Sequence, residues 1–109
     1  MKESEDILTY SQSDHGHVYS CRYCGMIHLV FKSIAITLYR FEFDALLECL
    51  EQIEDHHFDY PHPCGMAATL TFSKLEDGFF CLTKEDHPEM QALLVEAALM
   101  IKVHGLIQP

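Results

Sequence analysis

The chain has 109 residues, 49% of them hydrophobic and 11% aromatic, which is enough for one compact domain with its own core. Seven basic against 17 acidic side chains give a formal charge of −10, which repels phosphate backbones and anionic lipid, so neither nucleic acid nor a membrane surface is expected as a partner. No run approaches the roughly 18–20 apolar residues of a membrane span, and "MKESEDILTY" is acidic where a secretion signal is basic and then apolar, so a cytoplasmic protein is expected.

Residues 1–16 are polar apart from Ile7, Leu8 and Tyr10 and read as a mobile arm or a short edge segment, with the first strand beginning near His17. "YSCRYCGMIH" then carries a C-x-x-C-G turn, after which "MIHLVF" and "IAITLY" are two β-rich runs separated by Lys32-Ser33, the spacing of a two-residue hairpin. From Phe43 the period changes. Phe43, Leu46, Leu47, Leu50 and Ile53 form one helical stripe, predicting a helix over about residues 42–55. "DHHFDYPHPCG" breaks it, because two prolines in three residues oppose helix and most sheet pairing.

"MAATLTFS" and "FFCLT" predict a second hairpin, with Asp77-Gly78 ending its turn, and "TKEDHPEMQALLVEAALMIKVHG" a second helix. Asp86 and Glu89 have the spacing of a D-x-x-E capping box, Pro88 falls in the first turn, and Gly105 follows the last periodic residue. Met90, Leu93, Leu94, Ala97, Ile101 and His104 line the apolar face of this helix.

The order strand, strand, helix thus occurs twice, and each copy opens on "CGM", at 24–26 and again at 64–66. The expected fold is α+β: a single domain over residues 17–109, with pseudo-repeats at 17–56 and 64–105. The two β-hairpin-plus-helix units would form a four-stranded antiparallel sheet with two helices on one face. Alternation turns Ile27, Leu29, Phe31, Ile34, Ile36, Leu38, Met66, Ala68, Leu70, Phe72, Phe80 and Leu82 toward the helices. Met26, His28, Val30, Ala35, Thr37, Tyr39, Ala67, Thr69, Thr71, Phe79 and Cys81 fall on the other face, and none is Asp, Glu, Lys or Arg in a chain that is 22% charged. A solvated sheet face normally carries charge, so this one is expected to be covered. Its cover would be a second copy in a homodimer or, alternatively, the N-terminal arm through Ile7, Leu8 and Tyr10.

The cysteines carry the chemistry. They number five, which is odd, and no export signal precedes them, so metal ligation or reduced thiols are favoured over a disulfide framework. Cys21 and Cys24 supply half of a tetrahedral zinc site. If the two "CG" strand entrances are neighbours at one end of a shared sheet, Cys64 adds a third thiolate, with His62, His28 or His17 as the fourth ligand. A C-x-x-C redox pair is the alternative, but that chemistry draws on a helix N-terminus and the motif here runs into a strand pattern. Cys49 and Cys81 read as small packing residues. His87, beside Asp86 and Glu89, belongs to a helix start; Glu48, Glu51, Glu54 and Asp55 form an acidic helix face; no phosphate loop, nucleophile elbow or H-E-x-x-H is present.

"CRYCGMIHLVF" together with "LLECLEQIE" resembles small bacterial proteins of unknown function that carry a single C-x-x-C-G-x-x-H motif, and the short motif resembles one half of a zinc ribbon. The resemblance covers about residues 17–55, implies no activity, and favours His28 as a motif position. The functional expectation is a non-catalytic binding or scaffold domain, self-associating through its sheet and holding a structural zinc. A thiol redox protein or a small metalloenzyme using the same cysteines is the alternative.

Overall fold

The computed structural model describes residues 7–21, 25–62, 65–70 and 80–107. Its elements in chain order are β1 (Ile7–Gln12), β2 (Gly16–Cys21), β3 (Ile27–Phe31), β4 (Ile34–Leu38), α1 (Arg40–Glu51), a 3-10 helix (Asp55–Asp59), β5 (Tyr60–His62), β6 (Gly65–Leu70), β7 (Phe80–Thr83) and α2 (Asp86–Ile107). The fold is α+β, with a four-stranded antiparallel sheet and two helices, as the patterning predicts.

The origin of its strands is different from the expected one. The four-stranded sheet is a meander of β1, β2, β3 and β4, all from the first half of the chain. β6 and β7 pair instead with β5 in a separate three-stranded sheet. Two features produce this. Of the two alternatives for the N-terminal segment, arm or edge segment, residues from Ile7 onward take the second as a full edge strand, so the first half already holds four strands. And Pro61, expected to oppose pairing, lies in β5 at the edge of the second sheet, where its missing N–H is tolerated. The β6–β7 turn, with Asp77-Gly78, lies outside the described residues, as do Thr71, Phe72 and Phe79.

Period-two burial is clean in β2 and β3. Gly16 and Val18, then Ile27, Leu29 and Phe31, are buried, and each alternate residue is partly exposed. They meet Leu38 of β4, Phe43, Leu46 and Leu50 of α1, Leu82 of β7, and Met90, Leu93, Leu94 and Ala97 of α2 in one core. Helix α2 lies along β1 and β2, with α1 against it and β4. Gly16 is required where β2 enters the sheet: a Cβ there would collide with the Val30 carbonyl oxygen and press on the Phe31 ring.

Edge strand β1 carries a bulge between Thr9 and Ser11. It turns two consecutive side chains toward α2. The Tyr10 hydroxyl meets Ser20 Oγ at 3.1 Å and its ring packs edge-on to His104, and Ser11 Oγ donates to the Leu93 carbonyl at 2.7 Å.

The helix ends differ from the sequence pattern in instructive ways. Helix α1 starts at Arg40, because Glu42 Oε1 accepts the Tyr39 N–H at 2.9 Å. It stops at Glu51, short of the predicted 55. Gln52 N–H and Ile53 N–H turn back to the Cys49 and Leu50 carbonyls, and His87 Nε2 reaches the Leu50 carbonyl at 2.8 Å. In α2 the reciprocal cap is formed by Thr83 and Asp86, not by Asp86 and Glu89: Thr83 N–H donates to Asp86 Oδ2 at 3.2 Å and Asp86 N–H to Thr83 Oγ1 at 3.1 Å. Glu89 instead receives the β1–β2 turn. Gly105 does not end α2, which continues to Ile107.

Candidate functional site

The outer face of the four-stranded sheet follows directly from its register. Ile7 pairs with Cys21, Thr9 with Tyr19 and Gln12 with His17, the bulge restoring the phase between the last two pairs. Tyr19 pairs with His28 and His28 with Thr37, while His17 pairs with Val30 and Val30 with Ala35. Met26 and Tyr39 extend the same phase by one residue beyond β3 and β4. These positions form a grid three deep and four strands wide. None is buried, and none is Asp, Glu, Lys or Arg. Ile7 is 45% and Tyr39 54% exposed, high for large apolar side chains.

The middle of the grid is ordered. His17 stacks on Tyr19 with ring centroids 5.1 Å apart, and Tyr19 stacks on His28 at 4.9 Å with an interplanar angle of 18°. His28 Nδ1 lies 3.1 Å from Thr37 Oγ1, a hydrogen bond that ties β3 to β4 and fixes the ring. Beside the grid, Tyr39 stacks on Phe41 of α1 at 5.8 Å. Among the described residues the N-terminal segment, Ile7–Gln12, does not lie over this face: it is coplanar with the sheet, and its Tyr10 side chain turns inward to the helices.

The sequence-predicted metal residues are dispersed in part. Cys21 and His28 share the outer face on adjacent strands, the cysteine one row beyond Tyr19 and therefore diagonal to His28. His62 lies in β5, in the other sheet. Cys24 and Cys64 lie outside the described residues. Because β3 and β6 belong to different sheets, the shared-sheet geometry expected to unite the two "CG" entrances is not present. Among the described residues no three His, Cys, Asp or Glu side chains form a group able to hold a metal ion. After the C-x-x-C motif, Gly25 and Met26 lead into β3 and not into a helix, and α1 begins at Arg40. Gly25 has φ 67°, in the left-handed region, and its N–H closes the turn on the Cys21 carbonyl at 3.2 Å.

A second polar cluster joins the sheet turns to α2. Glu89 accepts from Ser13 Oγ at 2.8 Å and from His15 N–H at 3.0 Å, and pairs with His15 Nδ1 at 2.8 Å. These bonds, that from the His15 ring foremost, hold the Glu89 carboxyl below the usual carboxylate range. Lys32, in the left-handed region at φ 55°, donates its N–H to the His15 carbonyl and places Nζ 2.5 Å from Asp86 Oδ1. Burial alone would raise Asp86; the hydrogen bonds from Lys32 and Thr83 together outweigh it and leave the carboxyl below its ordinary value. The bond to Asp86 in turn raises the Lys32 ammonium. The groups of this cluster are engaged with one another, which makes it a latch between two hairpin turns and a helix start.

The sequence reading named Met26, His28, Val30, Ala35, Thr37 and Tyr39 on the outer face and missed Ile7, Thr9, Gln12, His17, Tyr19 and Cys21; it also placed there Ala67, Thr69 and Cys81, which belong to the other sheet because β6 and β7 pair with β5, and Thr71 and Phe79, which lie outside the described residues. The period-two run "GHVYSC" signals the β2 members. The bulge hides those of β1. Among the described residues no helix is long and apolar enough to cross a membrane.

The chain belongs to a family described only as a family of unknown function (DUF6686), whose family model matches residues 1–98. No curated protein and no solved structure matches it.

Proposed function

We propose that this member of a family of unknown function is a non-catalytic binding domain that associates with a second copy of itself through the outer face of its four-stranded sheet. The observation that carries the reading is the uncharged grid, exposed on a chain of net charge −10. Two copies of a chain of net charge −10 repel where their carboxylates are brought together, and this face holds none. The same patch serves both copies of a two-fold pair. A non-catalytic role is supported by three of the imidazoles outside the grid, each in a structural hydrogen bond: His87 holds a helix-end carbonyl, His57 Nδ1 accepts the Glu54 N–H, and His15 bonds Glu89.

Size sets the expected strength. Four strands about 4.8 Å apart and three rows about 6.7 Å apart give a footprint of roughly 400 Å² per copy, about half that of a standard interface. Association is therefore weak and concentration-dependent. Sedimentation velocity over a wide concentration range tests it. A reversible monomer–dimer shift is expected, lost in Ala35→Glu and Thr9→Glu, which place carboxylates on the grid, and kept in Val95→Glu on the exposed side of α2. A monomer at every concentration, or a dimer indifferent to both grid variants, overturns the reading.

A further inference from the structure

The two edges of the four-stranded sheet are built differently. Edge strand β1 carries the bulge between Thr9 and Ser11, a device that keeps an edge from pairing with a further strand. Edge strand β4, "IAITL", pairs with β3 in unbroken register and contains no proline and no charged residue. Native edges are usually guarded by a bulge, a proline, a charge or a covering segment, and an unguarded edge is a template for another strand. Among the described residues β4 has β3 as its one strand partner, and Ala35 at its middle is exposed.

Hydrogen bonds outside the ladder fix which backbone groups face outward. Lys32 N–H points toward β2, where it reaches the His15 carbonyl at 2.7 Å. The Phe31 carbonyl, on the other side of the same trans peptide, therefore points toward β4. Alternation then aims the backbone groups of Phe31, Leu29 and Ile27 at β4, where Ile34, Ile36 and Leu38 are their partners. The N–H and C=O groups of Ala35 and Thr37 consequently point away from the sheet. Tyr39 continues that phase, and there the row is closed: its N–H goes to Glu42 Oε1 at 2.9 Å and its carbonyl accepts the Phe43 N–H at 2.9 Å. Ala35 and Thr37 thus present two donors and two acceptors in the plane of the sheet, with a repeat of about 6.7 Å that only an extended backbone matches.

We propose that β4 takes an extended segment of another protein as a fifth strand of the sheet, held by backbone hydrogen bonds to Ala35 and Thr37. The flanking side chains set the chemistry of that segment. On the inner side it lies beside Ile34 and Ile36, which pack on the core and are only partly buried, so apolar residues there extend the core. On the outer side it flanks Ala35 and Thr37 and is uncharged. A net charge of −10 attracts a segment with basic ends. A second copy of β4 fits less well: antiparallel pairing that joins Ala35 of each chain to Thr37 of the other sets Lys32 against Arg40 and brings together two chains of the same charge. The proposal does not rest on self-association through the outer face.

The test uses the full chain at a concentration where it is monomeric, with amide exchange followed residue by residue by nuclear magnetic resonance. The probe is a short synthetic peptide of alternating valine and threonine with lysines at both ends. In the free chain the Ala35 and Thr37 amides should exchange fast while those of Ile36 and Leu38 are protected. Saturating peptide should slow Ala35 and Thr37 by roughly tenfold or more and leave Ile36 and Leu38 as they were. The same peptide N-methylated along its backbone should give no protection, and one with glutamates in place of the lysines should bind more weakly at low salt. Ala35→Pro removes an outward donor and no ladder bond, a change tolerated on an edge strand, and should weaken peptide binding roughly tenfold. Thr9→Glu, on the opposite edge strand and in the self-association face, should bind the peptide as the parent does, which separates this proposal from the dimer. Protection of Ala35 and Thr37 in the free monomer overturns the proposal, and so does millimolar peptide that leaves their exchange unchanged.

Discussion

Replacing Gly16 by alanine sets two effects of opposite sign against each other, and the structure decides between them. Alanine restricts the unfolded chain and by itself stabilises by about 0.4–1 kcal/mol where the native backbone accepts it. At Gly16 the added methyl would meet the Val30 carbonyl oxygen inside van der Waals contact, with Phe31 Cδ1 at 3.0 Å and Phe31 Cα at 3.2 Å. Two of these atoms are backbone of the adjacent strand, so relief requires β2 and β3 to separate where Phe31 is buried. Forcing a methylene into such a place costs about 1–3 kcal/mol, and the net expectation is a loss of about 1–2 kcal/mol. Gly105 provides the opposite case. It sits in the last turn of α2, where a methyl added to its Cα would have nothing within 4 Å, so Gly105→Ala should gain about 0.5 kcal/mol from helix propensity. For a chain of this length 1 kcal/mol moves the thermal midpoint by about 4–8 °C. Thermal and urea unfolding of the two variants should therefore shift in opposite directions. A Gly16→Ala protein as stable as the parent would refute the close packing of β2 on β3.

Acid should destabilise the fold in part through the latch at the start of α2. Glu89 and Asp86 both titrate below their ordinary values, so the stability they contribute is complete above roughly pH 4–5 and is lost as pH falls through their depressed range. Urea midpoints measured from pH 7 to pH 2.5 should fall on that limb, and less steeply in Glu89→Gln; an unchanged slope contradicts the bonding described. Ser11→Ala removes a buried hydroxyl bonded to the Leu93 carbonyl and should cost about 0.5–1.5 kcal/mol by equilibrium unfolding. His87→Ala leaves the Leu50 carbonyl at the end of α1 without its side-chain donor, and amide exchange at the C-terminal end of α1 should accelerate while that of β2 and β3 does not.

What the sequence made legible was periodic. Ile27, Leu29, Phe31 and Leu38 point inward as alternation requires, and Phe43, Leu46, Leu50, Met90, Leu93, Leu94 and Ala97 are buried as the helical stripes require. Cys49 packs against the core as a small residue, as its flanking position suggested. Pairing partners were not legible, because a strand's side-chain pattern states which face is buried and says nothing of which neighbour lies beside it. "ILTYSQ" shows poor alternation since the bulge turns Tyr10 and Ser11 to the same side, and the polar segment around it reads equally as an arm or a short edge segment. Glu89 has capping-box spacing from Asp86, yet its partners Ser13 and His15 are more than 70 residues away, beyond any local motif. Half of the outer face was visible in β3 and β4; the other half depended on β1 and β2 taking their places in the same sheet.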